Sequence, residues 1–226
     1  HTILIDTCVG NDKLRPLRPT WHLQRGPFLE RMRAVGVAPE SIDFVLCTHL
    51  HADHVGWNTQ LVDGRWVPTF PNARYVFARR EYQHWEAAHR ATLAAGIEPL
   101  NHGSFADSVL PVVEAGRAVL VDTDHAIEDG VRLEAAPGHT PGNCVLHAHD
   151  GNEHVMFAGD VFHTAVQFAD PSLSSQFCAD PARSAQTRRA LCERYADTPS
   201  TLLAAHFPAP VAGRIVRHRD AFRFDA

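Results

Sequence analysis

The chain has 226 residues, 45% hydrophobic and 21% charged, with a formal net charge of −5. That is the balance of a folded globular domain with a sizeable core, and it excludes a disordered chain, a collagen-like chain and a disulfide-stapled miniprotein. No run of about 18 apolar residues offers a membrane span, and the negative balance leaves no basic footprint for nucleic acid. Histidine, at 16 of 226 residues, exceeds what a solvated surface needs, and imidazole is the commonest metal ligand and acid–base group. Lysine occurs only at Lys13, so Arg supplies the other positive charges. The cysteines Cys8, Cys47, Cys144, Cys178 and Cys192 are odd in number and lack C-x-x-C spacing. They read as free buried thiols rather than a disulfide framework or zinc ribbon, which favours a reducing compartment.

In chain order, residues 2–6 (TILID) read as a buried strand and 11–25 as a Pro-broken irregular loop. Residues 27–35 read as a helix stopped by Gly36, and 42–47 (IDFVLC) as a buried strand running straight into 48–54. Asp63-Gly64 between apolar pairs signals a hairpin. A strand over 74–78 leads into a helix over 79–95 ended by Gly96, and a further helix is expected over 104–115. Strands are expected at 118–121, 131–135, 143–149 and 154–158. Asp180-Pro181 reads as an N-cap with Pro at the first helical position, opening a helix to about Tyr195. Residues 201–205 read as a buried strand ending at His206, with short strands at 214–218 and 222–224. Strands mixed with helices indicate an α/β or α+β sandwich.

The segment His49-Leu50-His51-Ala52-Asp53-His54 places four potential ligands in six residues directly after an apolar strand. Neutral imidazoles and a carboxylate suit Zn, and also Fe, Mn or Co. One loop cannot close two metal shells, so partners are sought at other strand ends. His139 sits in the turn Gly138-His139-Thr140-Pro141-Gly142, Asp160 follows the strand at 154–158, and His206 follows the strand at 201–205.

Together these motifs resemble the metallo-β-lactamase superfamily, over nearly the whole chain from Asp6 to Pro208. The resemblance implies a four-layer αβ/βα sandwich of α/β class as a single domain over 1–226, with two divalent metal ions, zinc foremost. It implies that His49, His51 and His139 hold one ion, that Asp53, His54 and His206 hold the other, and that Asp160 bridges both with a hydroxide. Asp6 would hold the metal loop from below by hydrogen bonds. Asp53, Asp160 and His163 are the candidate catalytic groups: Asp160, or water near it, passes a proton to the leaving group, and His163 donates a hydrogen bond to substrate.

Two departures narrow the field. Asp160 is not Cys, which departs from the true β-lactamases, and His51 is not Glu, which departs from the flavodiiron pattern. The tail 159–168 (GDVFHTAVQF) resembles the methyl parathion hydrolase-like branch, as do Asp122-Thr123-Asp124 and His206-Phe207-Pro208 more weakly. The similar acyl-homoserine-lactone lactonases carry Tyr where this chain has His163.

The implied activity is dinuclear hydrolysis of an ester, lactone or phosphotriester. A lactonase, a mononuclear iron persulfide dioxygenase and a non-catalytic binding module stand as alternatives. The expected partner is a small-molecule substrate, with no nucleic acid and no membrane; a homodimer is compatible. His22, His84, His89, His102, His125, His147, His149, His154 and His218 lack ligand spacing and read as surface or structural. Trp57, Phe162, Phe168 and Phe207 read either as core aromatics or as the lining of an apolar pocket. Relatives place strands ahead of the segment matching residues 3–6, so the expectation is that further strands precede His1 in the native polypeptide. Without them an unpaired sheet edge and an uncovered apolar face would promote association.

Overall fold

A computed structural model describes all 226 residues. Its contacts divide into two compact units, His1–Val121 and Asp122–Ala226. No helix is long and apolar enough to cross a membrane.

The first unit is built on a parallel sheet of β1 (Ile3–Ile5), β2 (Phe44–Leu46), β5 (Arg74–Ala78) and β6 (Ala118–Val121), in that order. Buried parallel strands read as continuous apolar runs, and Val45, Leu46, Tyr75 and Phe77 are buried. A separate hairpin pairs β3 (Thr59–Val62) with β4 (Arg65–Pro68). Its turn is Asp63-Gly64, both at positive φ (48° and 78°), as the expected tight turn requires. Helix α1 spans Phe28–Ala34, and α2 spans Arg79–Ala95 with Gly96 in the left-handed conformation after it, as the sequence suggests.

The helix expected over 104–115 forms as a continuous helical run, but its first part is wound as a π-helix. A π-helical turn, Phe105–Val109, is followed by α3, Leu110–Glu114. Pro111 has no N–H to give to the carbonyl four residues back. That carbonyl, on Asp107, instead accepts from Lys13 Nζ at 3.0 Å. The segment 11–25 is irregular as expected, yet it carries two fully buried cations. Arg15 grips Asp107 with both nitrogens, at 2.6 and 2.8 Å. Lys13 also donates to Thr59 Oγ1 at 2.6 Å and lies 3.5 Å over the Trp66 ring. Burial pushes the Lys13 ammonium down to about 7, although Asp107 works the other way. All five cysteines are free. Four are buried, but Cys8 is exposed, which corrects its reading: it sits in the loop after β1 with φ 51° and faces solvent.

The second unit is a seven-stranded sheet in the order β13-β12-β11-β10-β9-β8-β7, antiparallel except where β10 pairs with β11. The strands are β7 (Ala126–Glu128), β8 (Val131–Ala135), β9 (Cys144–Asp150), β10 (Glu153–Phe157), β11 (Thr201–Leu203), β12 (Ala212–His218) and β13 (Ala221–Asp225). Helix α5 runs Pro181–Tyr195, and its cap Asp180 accepts from Arg183 N at 2.9 Å, matching the expected start. The short α4 (Val166–Ala169) and β7 are additions that the sequence pattern did not announce. Trp57 in the first unit and Phe162, Phe168 and Phe207 in the second are all buried. The last three pack with Phe222 and Ile215 in the core of their unit, which settles them as core aromatics.

Register brings three histidines onto one sheet face. His149 and His154 are directly paired, and His147 lies two residues from His149. His154 Nε2 is 2.9 Å from His147 Nδ1, His154 Nδ1 is 2.7 Å from Ser200 Oγ, and His147 Nε2 is 3.2 Å from Glu134 Oε2. Two of the three, His147 and His154, are buried in these contacts, and His149 is exposed. Burial, then His149, His147 and Arg194, push the His154 pKa down to about 4. In the unfolded chain an imidazole titrates near ~6.5, so between these values the unfolded state binds more protons and stability falls with falling pH. Denaturant unfolding should therefore show stability lost progressively from about pH 6.5 to about pH 4. His154→Gln should flatten that loss. A variant with the same pH slope as the native chain would show that the slope arises elsewhere.

Candidate metal centre

The ligand motif begins where β2 runs out. Cys47 N still donates to Val76 O at 3.3 Å, so the chain leaves the sheet at Thr48. The loop is anchored from behind by Asp6, just past β1. Asp6 adopts φ 54°, a left-handed conformation that Asp tolerates better than most residues. Its Oδ1 accepts from Thr48 N and its Oδ2 from Thr48 Oγ1, both at 2.8 Å, and Oδ2 also lies 2.8 Å from His54 Nδ1. Asp6 therefore does hold the loop by hydrogen bonds, and it assigns the N–H of His54 to Nδ1. His54 Nε2 is 3.9 Å from Asp53 Oδ2. His49 Nε2 faces His51 Nδ1 at 3.1 Å, and the His49 and His54 rings lie 4.1 Å apart. The structure thus brings His49, His51, Asp53 and His54 together.

Two further residues fix this loop. Buried Glu81, in the first turn of α2, accepts from Leu50 N at 3.0 Å and from Trp85 Nε1 at 2.7 Å. Asn101 Oδ1 accepts from Ala52 N at 3.0 Å, and its Nδ2 donates to Leu50 O at 2.7 Å. Sequence reasoning missed both. Glu81 sits in a helix whose pattern does not distinguish it from a solvated carboxylate. The one signal at Asn101 is the Pro99-to-Gly103 context, which supports its left-handed φ of 52°.

In the second unit, His139 occupies the turn between β8 and β9. Gly138 (φ 133°) is obligatory there, because a Cβ would lie 2.2 Å from Ser184 N and 2.4 Å from Ser184 Cα. Ala179 N and Asp180 N donate to the carbonyls of His139 and Gly138, each at 2.9 Å, tying the turn to the start of α5. Asp160 lies in one 3-10 turn, Gly159–Val161, after β10. Its Oδ2 is 3.2 Å from both His139 Nε2 and His163 Nε2, and its Oδ1 is 3.0 Å from His206 Nε2. One carboxylate thus faces three imidazoles. Burial works against the His139 imidazolium, but Asp160 and Cys178 override it and hold the pKa up at about 9.

The loop after Asp160 is tied by Arg188, a fully buried residue of α5. It donates to Val161 O at 2.9 Å, to Pro171 O and Leu173 O at 2.7 Å, and to Ser184 Oγ at 3.0 Å. Sequence reasoning missed Arg188 as well, since nothing in the helical pattern marks a buried guanidinium.

These donor sets fit a divalent metal. Separations of 3.0–3.2 Å between ring nitrogens and carboxylate oxygens around Asp160 are those of neighbouring ligands on an ion bound at ~2.0–2.2 Å. The ligand atoms of Asp160, His163 and His206 lie within 4.8 Å of one another. His163 therefore stands close enough to Asp160 and His206 to be a metal ligand, a role that the sequence did not assign to it.

Strand-end histidines and a shared aspartate on this α/β scaffold define a class. Residues 1–206 match the profile of the metallo-beta-lactamase superfamily, and the chain belongs to that superfamily. Its α/β fold class is the one the sequence led to. The "Probable metallo-hydrolase YflN" of Bacillus subtilis (strain 168) is 29% identical over 126 residues, 54% of this chain and 46% of its own length. The N-acyl homoserine lactonase AiiA of Bacillus thuringiensis subsp. kurstaki is 25% identical over 140 residues, 62% of this chain and 46% of its own. The chain spans about half the length of these curated relatives. The crystal structure of hydrolase AbOPH in the beta lactamase superfamily matches with TM-score 0.79 at 26% identity, covering 99% of this chain and 74% of that one. AidC, a dizinc quorum-quenching lactonase, matches in fold with TM-score 0.76 at 24% identity, over 98% of this chain and 74% of its own.

Asp6→Ala should lower metal affinity by about 10–100-fold, the range seen when the outer partner of a ligand is removed. Competition with a chelator reads this directly. Native affinity in the variant would show that the loop holds its ligands without Asp6.

Proposed function

We propose that this chain carries the active site of a metal-dependent hydrolase that uses two divalent ions, zinc foremost, on a small-molecule ester, lactone or phosphotriester. The observation that carries the reading is Asp160, whose two oxygens face three imidazole nitrogens at 3.0–3.2 Å. That is the donor arrangement of a carboxylate shared between ions. The ligands in this proposal are His49, His51 and His139 for one ion and Asp53, His54 and His206 for the other, with Asp160 on both. Each cluster by itself is an incomplete shell, and the superfamily to which the chain belongs supports pooling them.

Two such ions would make water nucleophilic at neutral pH and polarise a carbonyl or phosphoryl oxygen. The chain's own residues do the rest. Asp160 orients the imidazoles and is the group placed to pass a proton to the leaving group. His163, with 18% of its side chain exposed against 4% for Asp160, is placed to donate to a substrate oxygen. No serine or cysteine nucleophile is required.

Among substrates, a lactone is favoured by the relatives, which include N-acyl homoserine lactonases and a dizinc lactonase. The tail 159–168, with His163 where the resemblance implies Tyr for a lactonase, instead supports the methyl parathion hydrolase-like branch and hence esters or phosphotriesters.

Elemental analysis of the purified protein, with a panel of aryl esters, acyl homoserine lactones and phosphotriesters, tests the reading. Two ions per chain and turnover of one class are expected, and His139→Ala should lose metal and activity together. One iron per chain with oxidation of a persulfide would replace hydrolysis by dioxygenation. His163→Phe should lower kcat by about 100-fold, the scale of losing one donor to a developing negative charge, with metal content intact. Loss of an ion in that variant would make His163 a ligand.

A further inference from the structure

We propose that Cys178 is the positioning residue of His139, setting which way the imidazole faces and which of its nitrogens meets the metal. The proposal rests on the reading of His139 as a metal ligand. His139 is buried and pinned at both ring nitrogens: Nε2 lies 3.2 Å from Asp160 Oδ2, and Nδ1 lies 3.6 Å from Cys178 Sγ. A metal-bound histidine needs its far N–H satisfied, and the acceptor is usually a carboxylate, a carbonyl or water. Here a sulfur occupies that place.

The direction of the hydrogen bonds follows from what lies behind the sulfur. Cys178 is within 3.5 Å of Ser184 Oγ and donates its thiol proton there. Ser184 Oγ also accepts from Arg188 Nη2 at 3.0 Å, and a hydroxyl oxygen has a second lone pair for the thiol. The thiol proton therefore points away from His139, and sulfur lone pairs point towards it. Nδ1 must then carry a proton, and Nε2 is the nitrogen left for an ion. Reversing the thiol would place the histidine proton on Nε2, towards Asp160, where it would compete with metal. Arg188, a permanent donor held by three backbone carbonyls, stands at the fixed end of this chain.

The backbone leaves the thiol little alternative. Ala179 N and Asp180 N are bonded to the carbonyls of His139 and Gly138, so Cys178 is delivered beside the ring by the same link that starts α5. A sulfur acceptor orients the ring without adding a second charge next to the Asp160 carboxylate.

The test is zinc affinity of the full chain, measured by competition with a chromophoric chelator, alongside the melting temperature of the metal-free protein. Cys178→Ala should weaken zinc binding by about 10–100-fold while the metal-free melting temperature stays near native. Cys178→Ser keeps a donor and an acceptor and should recover most of the affinity. If Cys178→Ala binds zinc as the native chain does while His139→Ala loses it, the positioning role is overturned and the ligand reading stands. If Cys178→Ser is as weak as Cys178→Ala and both melt early without metal, sulfur is only a packing group and the proposal falls. If His139→Ala keeps its zinc, the ligand reading itself fails and this inference with it.

Discussion

The guanidinium of Arg188 is wholly buried and gives its protons to neutral acceptors: three backbone carbonyls and one hydroxyl. Burying a charge costs several kcal/mol even after relaxation, and the cost is offset only where the acceptors are already in place. The loop from Val161 to Leu173 supplies them. The consequence runs in both directions: the loop satisfies the cation, and the cation stops the loop from moving. Asp160 precedes the first of those carbonyls, and His163 follows it by two residues, so both inherit its rigidity. In the first unit a negative group plays the corresponding part. Asp6 collects Thr48 N, Thr48 Oγ1 and His54 Nδ1 within 2.8 Å, and the histidine loop takes its shape from that carboxylate.

The same residue type serves two purposes in this chain, and the surroundings of its nitrogens tell them apart. On β9 and β10, the nitrogens of His147 and His154 lie against each other, Ser200 and Glu134, inside a sheet face also covered by Tyr195. His147 foremost, with Arg194, holds the Glu134 carboxyl down at about 2 against the upward push of burial, so this group is an ion-paired strut. Around Asp160 the imidazoles converge on one carboxylate from three sides. That arrangement concentrates donors at a point instead of passing hydrogen bonds along a line.

What could be seen in the sequence was whatever chemistry is local. The motif 49–54 packs four potential ligands behind an apolar run, and strands 74–78 and 118–121 and helices 79–95 and 181–195 carry their own punctuation at Gly96 and Asp180-Pro181. His139, Asp160 and His206 were found because each closes a strand. Apart from Asp6, which the family resemblance supplied, the groups that hold these candidate ligands were not visible. Glu81 acts 31 residues from Leu50, Asn101 acts 49 residues from Ala52, and Cys178 acts 39 residues from His139. A polar side chain looks the same in sequence whether it is solvated or buried against a backbone donor, so only the fold reveals such partners. The π-helical winding inside 104–115 has the same origin, since the groups that satisfy Asp107 come from Lys13 and Arg15, more than ninety residues earlier.

Lys13 has one more consequence. It is the only lysine in the chain, and its side chain is fully buried between Thr59, Asp107 and the Trp66 ring. The folded surface therefore offers no lysine amine to acylating reagents or aldehydes. Such a reagent reaches Lys13 only when the first unit opens, because a group sealed by packing reacts at the rate set by that opening equilibrium. Covalent tagging at this one position thus counts unfolding events, and the chain carries its own clock for the breathing of the irregular segment that precedes α1.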